Sequence, residues 1–312
     1  MELASRQRGC LLGLACGDAV GTTVEFCERG GFPPVTDMTG GGPFCLPVGA
    51  WTDDTSMALC LASSLVELGR FDPADQMRRY CQWHENGYLS STGRCFDIGL
   101  TVRESLARFQ RSGNPFSGRP DPQSAGNGCI MRLAPVPMFF HPDSAEAARW
   151  AGESSRTTHG APECVESCQL LAAMICAALS GASKDEVLFS HDLSTFQSAK
   201  VRAIAAGEYR NKIAKGISGS GYVIHCLEAS AWCFWQSKSF RDAVLLAVNL
   251  GDDADTTGAV CGQIGGAFYG EEGIPAEWLS RLVMVDDIRS LADRLAGPKC
   301  AEPGAGADGP RE

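Results

Sequence analysis

Strand-like patterning is nearly absent from this 312-residue chain, which argues against any sheet-based fold. Also missing is a C-x-x-C pair among its 15 cysteines, an odd number. Cys10, Cys16, Cys60, Cys168, Cys176 and Cys261 fall on apolar helical faces, so they read as small buried hydrophobes in a reducing compartment. A disulfide framework or a zinc site is the weaker reading. No run looks long and apolar enough to span a membrane. The start, Met1 to Arg8, is charged and lacks the three-part layout of a secretory signal. A basic excess is lacking too: 27 Lys and Arg stand against 37 acidic residues, a net charge of −10. Non-specific attraction to a nucleic-acid backbone is therefore disfavoured. His84, His141, His191 and His225 are scattered without ligand spacing, which argues against a histidine-based metal site. The expectation is a soluble cytoplasmic protein with neither a membrane nor a nucleic acid as partner.

What the chain does contain is helical periodicity. It recurs over Arg8–Val20, Thr55–Leu68, Ala74–Glu85, Thr101–Phe109, Ala145–Arg156, Glu163–Leu179, Ala199–Ala206, Tyr222–Phe234, Arg241–Asn249, Thr257–Tyr269 and Asp287–Leu295. Leu170–Leu179 (LLAAMICAAL) is apolar on most sides, the profile of a helix surrounded by others. With 44% hydrophobic residues a substantial core is available. The fold class expected is all-α, a single compact multi-helix bundle-like domain over residues 1–296. The tail, 297–312, is rich in Gly, Pro, Ala and charge and reads as disordered. Two long loops, Gly30–Gly49 and Ser112–Gly128, are candidates for function.

Two acidic clusters stand out. Trp51-Thr52-Asp53-Asp54-Thr55 and Gly251-Asp252-Asp253-Ala254-Asp255-Thr256 each precede an apolar helix. Asp and Thr there have an ordinary role as helix caps. Each cluster nevertheless holds more carboxylates than a cap needs, and packed acids repel unless a cation neutralises them. Carboxylate and hydroxyl oxygens are hard ligands that suit Mg²⁺, Mn²⁺ or Ca²⁺. Neither cluster matches an EF-hand loop.

These clusters belong to a longer series of ordered segments. They are Gly13–Phe26 (GLACGDAVGTTVEF), Met38–Met57 (MTGGGPFCLPVGAWTDDTSM), Ser91–Gly99 (STGRCFDIG), Gly126–Pro137 (GNGCIMRLAPVP), Ser155–Gly160 (SRTTHG), Gly219–Trp232 (GSGYVIHCLEASAW) and Asn249–Gly262 (NLGDDADTTGAVCG). In these the chain resembles the ADP-ribosylglycohydrolase family, most closely its bacterial dinitrogenase-reductase-activating branch. The resemblance implies an all-α fold with two Mg²⁺ or Mn²⁺ ions, and cleavage of ADP-ribose from a modified protein, with arginine foremost as acceptor. It implies Thr52, Asp53, Asp54, Asp253, Asp255 and Thr256 as metal ligands. Glu25 and Asp97 are the implied catalytic carboxylates. Gly126, Asn127, Gly128, His159 and Tyr222 are implied to line the ADP-ribose site. Two departures are visible. Asp252 stands where many members have glycine, and Cys129 where a small residue is common.

The chemistry fits those residue types. An N-glycosidic bond to ribose breaks through an oxocarbenium-like state, and a carboxylate must move a proton. Plainer roles compete. Asp97 also fits a cap and Glu25 a surface acid, though the resemblance favours function for both; Asp18 is read as a buried structural hydrogen-bonding group, Asn127 as a turn residue first, and His159 and Tyr222 fit core roles as well as contact with the nucleotide. Two other functions remain open at this point: a hydrolase for ADP-ribose on serine, a metabolite or a nucleic-acid end, and a non-catalytic ADP-ribose-binding protein.

Overall fold

The computed structural model describes residues 1–297. Its helices are α1 (Leu3–Gly21), α2 (Asp53–Leu68), α3 (Pro73–Asn86), α4 (Leu100–Ser112), α5 (Pro135–Phe140), α6 (Ser144–Arg156), α7 (Pro162–Leu179), α8 (Lys184–Phe189), α9 (Ala199–Ala205), α10 (Val223–Gln236), α11 (Phe240–Val248), α12 (Ala254–Tyr269), α13 (Ala276–Leu279) and α14 (Val285–Ala296). Only isolated β-bridges occur among the described residues. The all-α expectation holds. Every periodic segment is helical, and the short helices α5, α8 and α13 are additions too brief to show a period. The tail expected from residue 297 lies outside the described residues except for Gly297, which caps α14.

The centre of the structure is the pair α1 and α12, the most extensive helix contact among the described residues. Every residue from Gly9 to Gly21 is buried, as is every residue from Ala254 to Ala267. A helix buried on all sides belongs in the interior. What brings these two so close is a ladder of glycines. A methyl group on Gly9, Gly13 or Gly17 would lie 2.3, 2.3 or 2.1 Å from the carbonyl oxygen of Gly266, Gly262 or Gly258. On Gly21 it would lie 2.4 Å from that of Ala254. The pairs run in opposite directions along the two helices, so α1 and α12 are antiparallel. Glycines four apart share one helix face, so each backbone rests directly on the other.

The other helices pack around this pair. α7, α10 and α11 lie against α12, while α14 and α11 flank α1. A second cluster, with Met57, Tyr80, Trp83, Leu106 and Met131, joins α2, α3 and α4 on one side. One expectation needs correction. α7 has 18 residues of mean hydropathy 1.3, long and apolar enough to cross a membrane by length and composition alone. Of that stretch 67% is buried inside the protein, where α6, α10 and α12 cover it.

Substituting Gly17→Ala or Gly262→Ala forces a carbon into a backbone oxygen. Overpacking of this kind costs roughly 1–3 kcal/mol, occasionally more. Urea denaturation of either variant is expected to show a midpoint lowered accordingly, and an unchanged midpoint would mean that the helices are not in backbone contact.

Candidate active site

The antiparallel ladder sets the N-terminus of α12 beside the C-terminus of α1. α2 begins at the same place, through a residue that ties it to α1. Asp18, fully buried, accepts from the backbone N–H groups of Thr52 and Thr55 at 2.9 and 3.1 Å. It also accepts from their hydroxyls at 3.0 and 2.6 Å. The structural role expected for Asp18 is thus observed, and it corrects another expectation. Thr52 and Asp253 occupy the N-cap positions of α2 and α12, yet neither side chain makes a capping bond. Asp18 caps α2 from a neighbouring helix, which leaves the acidic side chains of both clusters free to face each other. Both helices also start earlier than their periodicity indicated, so Asp53, Asp54 and Asp255 lie in first turns. There the positive end of the helix dipole partly offsets their charge.

The two clusters meet. The Thr52 hydroxyl oxygen is 3.2 Å from Asp255 Oδ2 and 3.4 Å from Asp54 Oδ2. Thr256 Oγ1 is 3.4 Å from the same Asp54 oxygen. Glu25, just past α1, joins them: Glu25, Asp97 and Asp255 each bring a carboxylate oxygen within 4.8 Å of the others. Thr52, Asp53, Asp54, Asp255, Thr256 and Glu25 are all buried. Asp253 and Asp97 are half-buried.

So many acids in one place raise one another's proton affinity. Burial, then repulsion from neighbouring carboxylates, pushes Asp53, Asp54 and Asp255 well above the usual carboxylate range. The same causes take Glu25 to about 10 and Asp97 to about 7. Burial takes Asp18 to about 6. Three buried oxygens, Glu25 Oε2, Asp54 Oδ1 and Asp255 Oδ1, have no hydrogen-bond partner among the described residues. An orphaned buried acceptor costs about 1–3 kcal/mol, a cost that cations bound among these carboxylates would offset. The donor set is oxygen only, which suits a hard divalent ion.

Above the acids lies a cleft of about 320 Å³, near the lower end of ligand-pocket volumes. Glu25, Asp53, Asp97, Asp253, Asp255 and Thr256 form its acidic part, and Gly126, Asn127, Gly128 and His159 line another. Thr52 and Asp54 sit beneath rather than on its surface. Asn127 is tied to the acids, since its Nδ2 donates to Asp253 Oδ2 at 2.9 Å. Asp97 does not cap α4, whose N-cap is Gly99. Its backbone is left-handed, at φ 60°, a conformation that is rare outside glycine and that clusters at functional sites. Tyr222 is outside the cleft lining: its hydroxyl accepts from Lys200 Nζ at 2.7 Å and donates to Glu163.

The structure also adds wall residues that sequence reasoning passed over: Phe26, Ile98, Gly99, Leu100, Thr101, Val102 and Met131. Phe26 and Leu100 are 66% and 68% exposed, unusual for large apolar side chains, and Phe26 is itself left-handed at φ 62°. Being apolar, they carried no chemical signal. No residue of the Gly30–Gly49 loop lines the cleft; Asp37 pins that loop by accepting from Trp278 Nε1 at 2.7 Å and from Arg281 at 2.9 Å. Cys129 is buried behind the cleft. Asp252 is exposed, and a backbone at φ 58° explains a preference for glycine at its position.

The acid cluster fixes how stability depends on pH. Groups whose folded pKa lies above the unfolded value stabilise the native state below the unfolded pKa, and that contribution is lost as pH rises through the folded pKa. With chelator present, the protein is expected to lose stability as pH climbs from about 4 through the values near 6, 7 and 10 of Asp18, Asp97 and Glu25. Melting curves at pH 5 and pH 8 in chelator test this, and a higher melting point at pH 8 would contradict it.

Comparisons with known proteins place this arrangement. The family model described as ADP-ribosylglycohydrolase matches residues 1–303. The chain is 47% identical over 297 residues to a Pseudomonas putida protein named ADP-ribosylarginine hydrolase Tri1, covering 94% of this chain and 78% of that one. It is 32% identical over 299 residues to the ADP-ribosyl-[dinitrogen reductase] glycohydrolase of Rhodospirillum rubrum, covering 93% and 95%. A solved structure titled ADP-ribosylglycohydrolase-related protein complex superposes with a TM-score of 0.83 at 41% identity, over 95% of this chain and 98% of that one. With the helical fold, the joined acid clusters and a match over nearly its whole length, the chain belongs to the ADP-ribosylglycohydrolase family and is a glycohydrolase.

Proposed function

We propose that this enzyme removes ADP-ribose from the arginine side chain of a modified protein, with two divalent cations, Mg²⁺ or Mn²⁺, held by Thr52, Asp53, Asp54, Asp253, Asp255 and Thr256. The observation that carries the reading is the pair of acid clusters, brought together with unpartnered buried oxygens under a cleft that also holds Glu25 and Asp97. Arginine is favoured as acceptor because relatives 47% and 44% identical to the chain are named for that bond. The exposed ring of Phe26 beside Glu25 adds to this, since an aromatic face next to acids suits a planar guanidinium.

The ions, when bound, supply charge neutralisation and Lewis acidity toward ribose oxygens and water. The chain's own residues do the rest. The Gly126-Asn127-Gly128 turn and His159 hold the ADP-ribose. Glu25 and Asp97 bring carboxylate oxygens within 4.8 Å of each other, and burial with repulsion from neighbouring carboxylates raises the proton affinity of both. Cleavage of the C–N bond needs a proton on the departing guanidine and the loss of one from water, and a carboxyl pair with separated pKa values can serve both. The half-buried Asp97 is the group that meets water, while Glu25 retains the proton more tightly.

The reading predicts free ADP-ribose from an ADP-ribosyl-arginine protein in Mg²⁺ or Mn²⁺, and none in chelator. Asp97→Asn is expected to lower kcat by about 10²–10⁴-fold. Asp255→Ala should remove both turnover and the rise in melting point on adding the ion. Equal release by wild type and Asp255→Ala would end the proposal. Faster release from an ADP-ribosyl-serine protein would redirect it to another acceptor.

A further inference from the structure

Behind the Gly126–Gly128 turn lies a buried cation that the chemistry above does not use. Arg132 is 1% exposed, and its guanidinium packs over the Tyr80 ring at 4.9 Å from the centroid. No carboxylate pairs with it among the described residues. Instead Nη1 donates to the Gly128 carbonyl at 2.5 Å and Nη2 to the Thr158 hydroxyl oxygen at 2.6 Å. Thr158 Oγ1 lies in turn 2.8 Å from Nδ1 of His159. His159 is 2% exposed and borders the cleft. Its Nε2 has no partner among the described residues and faces the two glycines: a methyl group on Gly128 or Gly126 would come within 3.3 or 3.4 Å of it.

Hydrogen accounting sets the direction of this chain. Guanidinium nitrogens only donate, so Thr158 Oγ1 must accept from Arg132. The hydroxyl then has one hydrogen of its own to place. If Nδ1 carried a proton, the Thr158 oxygen would receive from both sides and its hydrogen would be stranded in the interior, at a cost of about 1–3 kcal/mol. The satisfied arrangement has Thr158 donating to Nδ1. The ring is neutral: burial lowers its pKa to about 4, with Cys129 opposing and the Arg132 charge adding to the shift, and a charged ring would strand the Thr158 hydrogen in the same way. A neutral imidazole with an accepting Nδ1 carries its hydrogen on Nε2.

We infer that Arg132, acting through the Thr158 hydroxyl, fixes His159 as the Nε2–H tautomer, so that the cleft presents a one-way donor to an oxygen of the ADP-ribose moiety. Arg132 and Thr158 are positioning residues. The same guanidinium holds the Gly128 carbonyl, so one buried cation sets both the turn and the ring. The inference rests on His159 contacting ADP-ribose as proposed above, but the tautomer itself can be read without turnover.

The test is nitrogen NMR of the full-length protein with ¹⁵N-labelled histidine, at neutral pH in Mg²⁺, joined to calorimetry with ADP-ribose. Wild-type His159 is expected to show a protonated Nε2 and a bare Nδ1. Thr158→Val should give a mixture of tautomers and weaken ADP-ribose binding by about tenfold, the scale of one hydrogen bond. Thr158→Ser should restore both. A wild-type ring protonated on Nδ1, or a folded Thr158→Val protein with unchanged tautomer and affinity, would overturn the inference. If Thr158→Val does not fold, the wild-type spectrum decides alone. Failure of wild type to bind ADP-ribose would count against the proposed function, and the spectrum would still settle the tautomer.

Discussion

Gly17 of α1 and Gly258 of α12 are in backbone contact, and the meeting of the acidic side chains under the cleft depends on it. A side chain at either position would collide with the carbonyl of the other helix. The contact is repeated up the pair at Gly13 with Gly262 and Gly9 with Gly266. Its lower end delivers Asp255 and Thr256 to the side of Asp18 and Glu25. Separating the axes by one methyl layer would move Asp255 away from Thr52 and Thr256 away from Asp54, which they now approach to within hydrogen-bonding range.

The constraint on the other side is charge. Buried carboxylates facing one another oppose folding, and the structure meets this in several ways at once. Two helix N-termini point at the group. Asp18 is satisfied by four hydrogen bonds that tie α2 to α1. Asn127 binds Asp253 and joins the Gly126–Gly128 turn to the acids. The remaining carboxylates are left with raised proton affinity and unpartnered oxygens. A hard cation bound there, as proposed above, would relieve both the repulsion and the unpartnered oxygens.

Away from the acids the cleft wall is built by a different logic. A buried arginine without a counter-ion makes hydrogen bonds to a carbonyl and a hydroxyl, both serving groups that border the cleft. At the mouth, Phe26 and Asp97 hold left-handed backbones. Local strain of this kind costs of order 1–3 kcal/mol per residue and persists where the surroundings impose it. Phe26 is held by a backbone pair with the Asp252 turn, whose carbonyl accepts its N–H at 2.7 Å. The lip of the cleft thus depends on the loop that carries the C-terminal acids.

Much of this was legible in the chain itself. Periodicity located the long helices, because burial imposes a repeat near 3.6 residues wherever one face must be apolar. The surplus of acid over capping need marked the clusters, because repulsion makes unneeded carboxylates costly. Short helices such as α5 were invisible, being too brief for a period to form. The capping of α2 by Asp18 was invisible too, since it crosses 34 residues of sequence. The glycines at 9, 13, 17 and 21 and at 258, 262 and 266 were in plain view; that they face each other is a property of two surfaces. The two acidic clusters announced themselves by composition. Only tertiary structure, the packing of α1 on α12 and the tie of α2 to α1 through Asp18, decided that they share one site, and only it placed Tyr222 outside the cleft lining. Local chemistry is written residue by residue, whereas the distance between clusters 200 residues apart is set by how closely two backbones can approach.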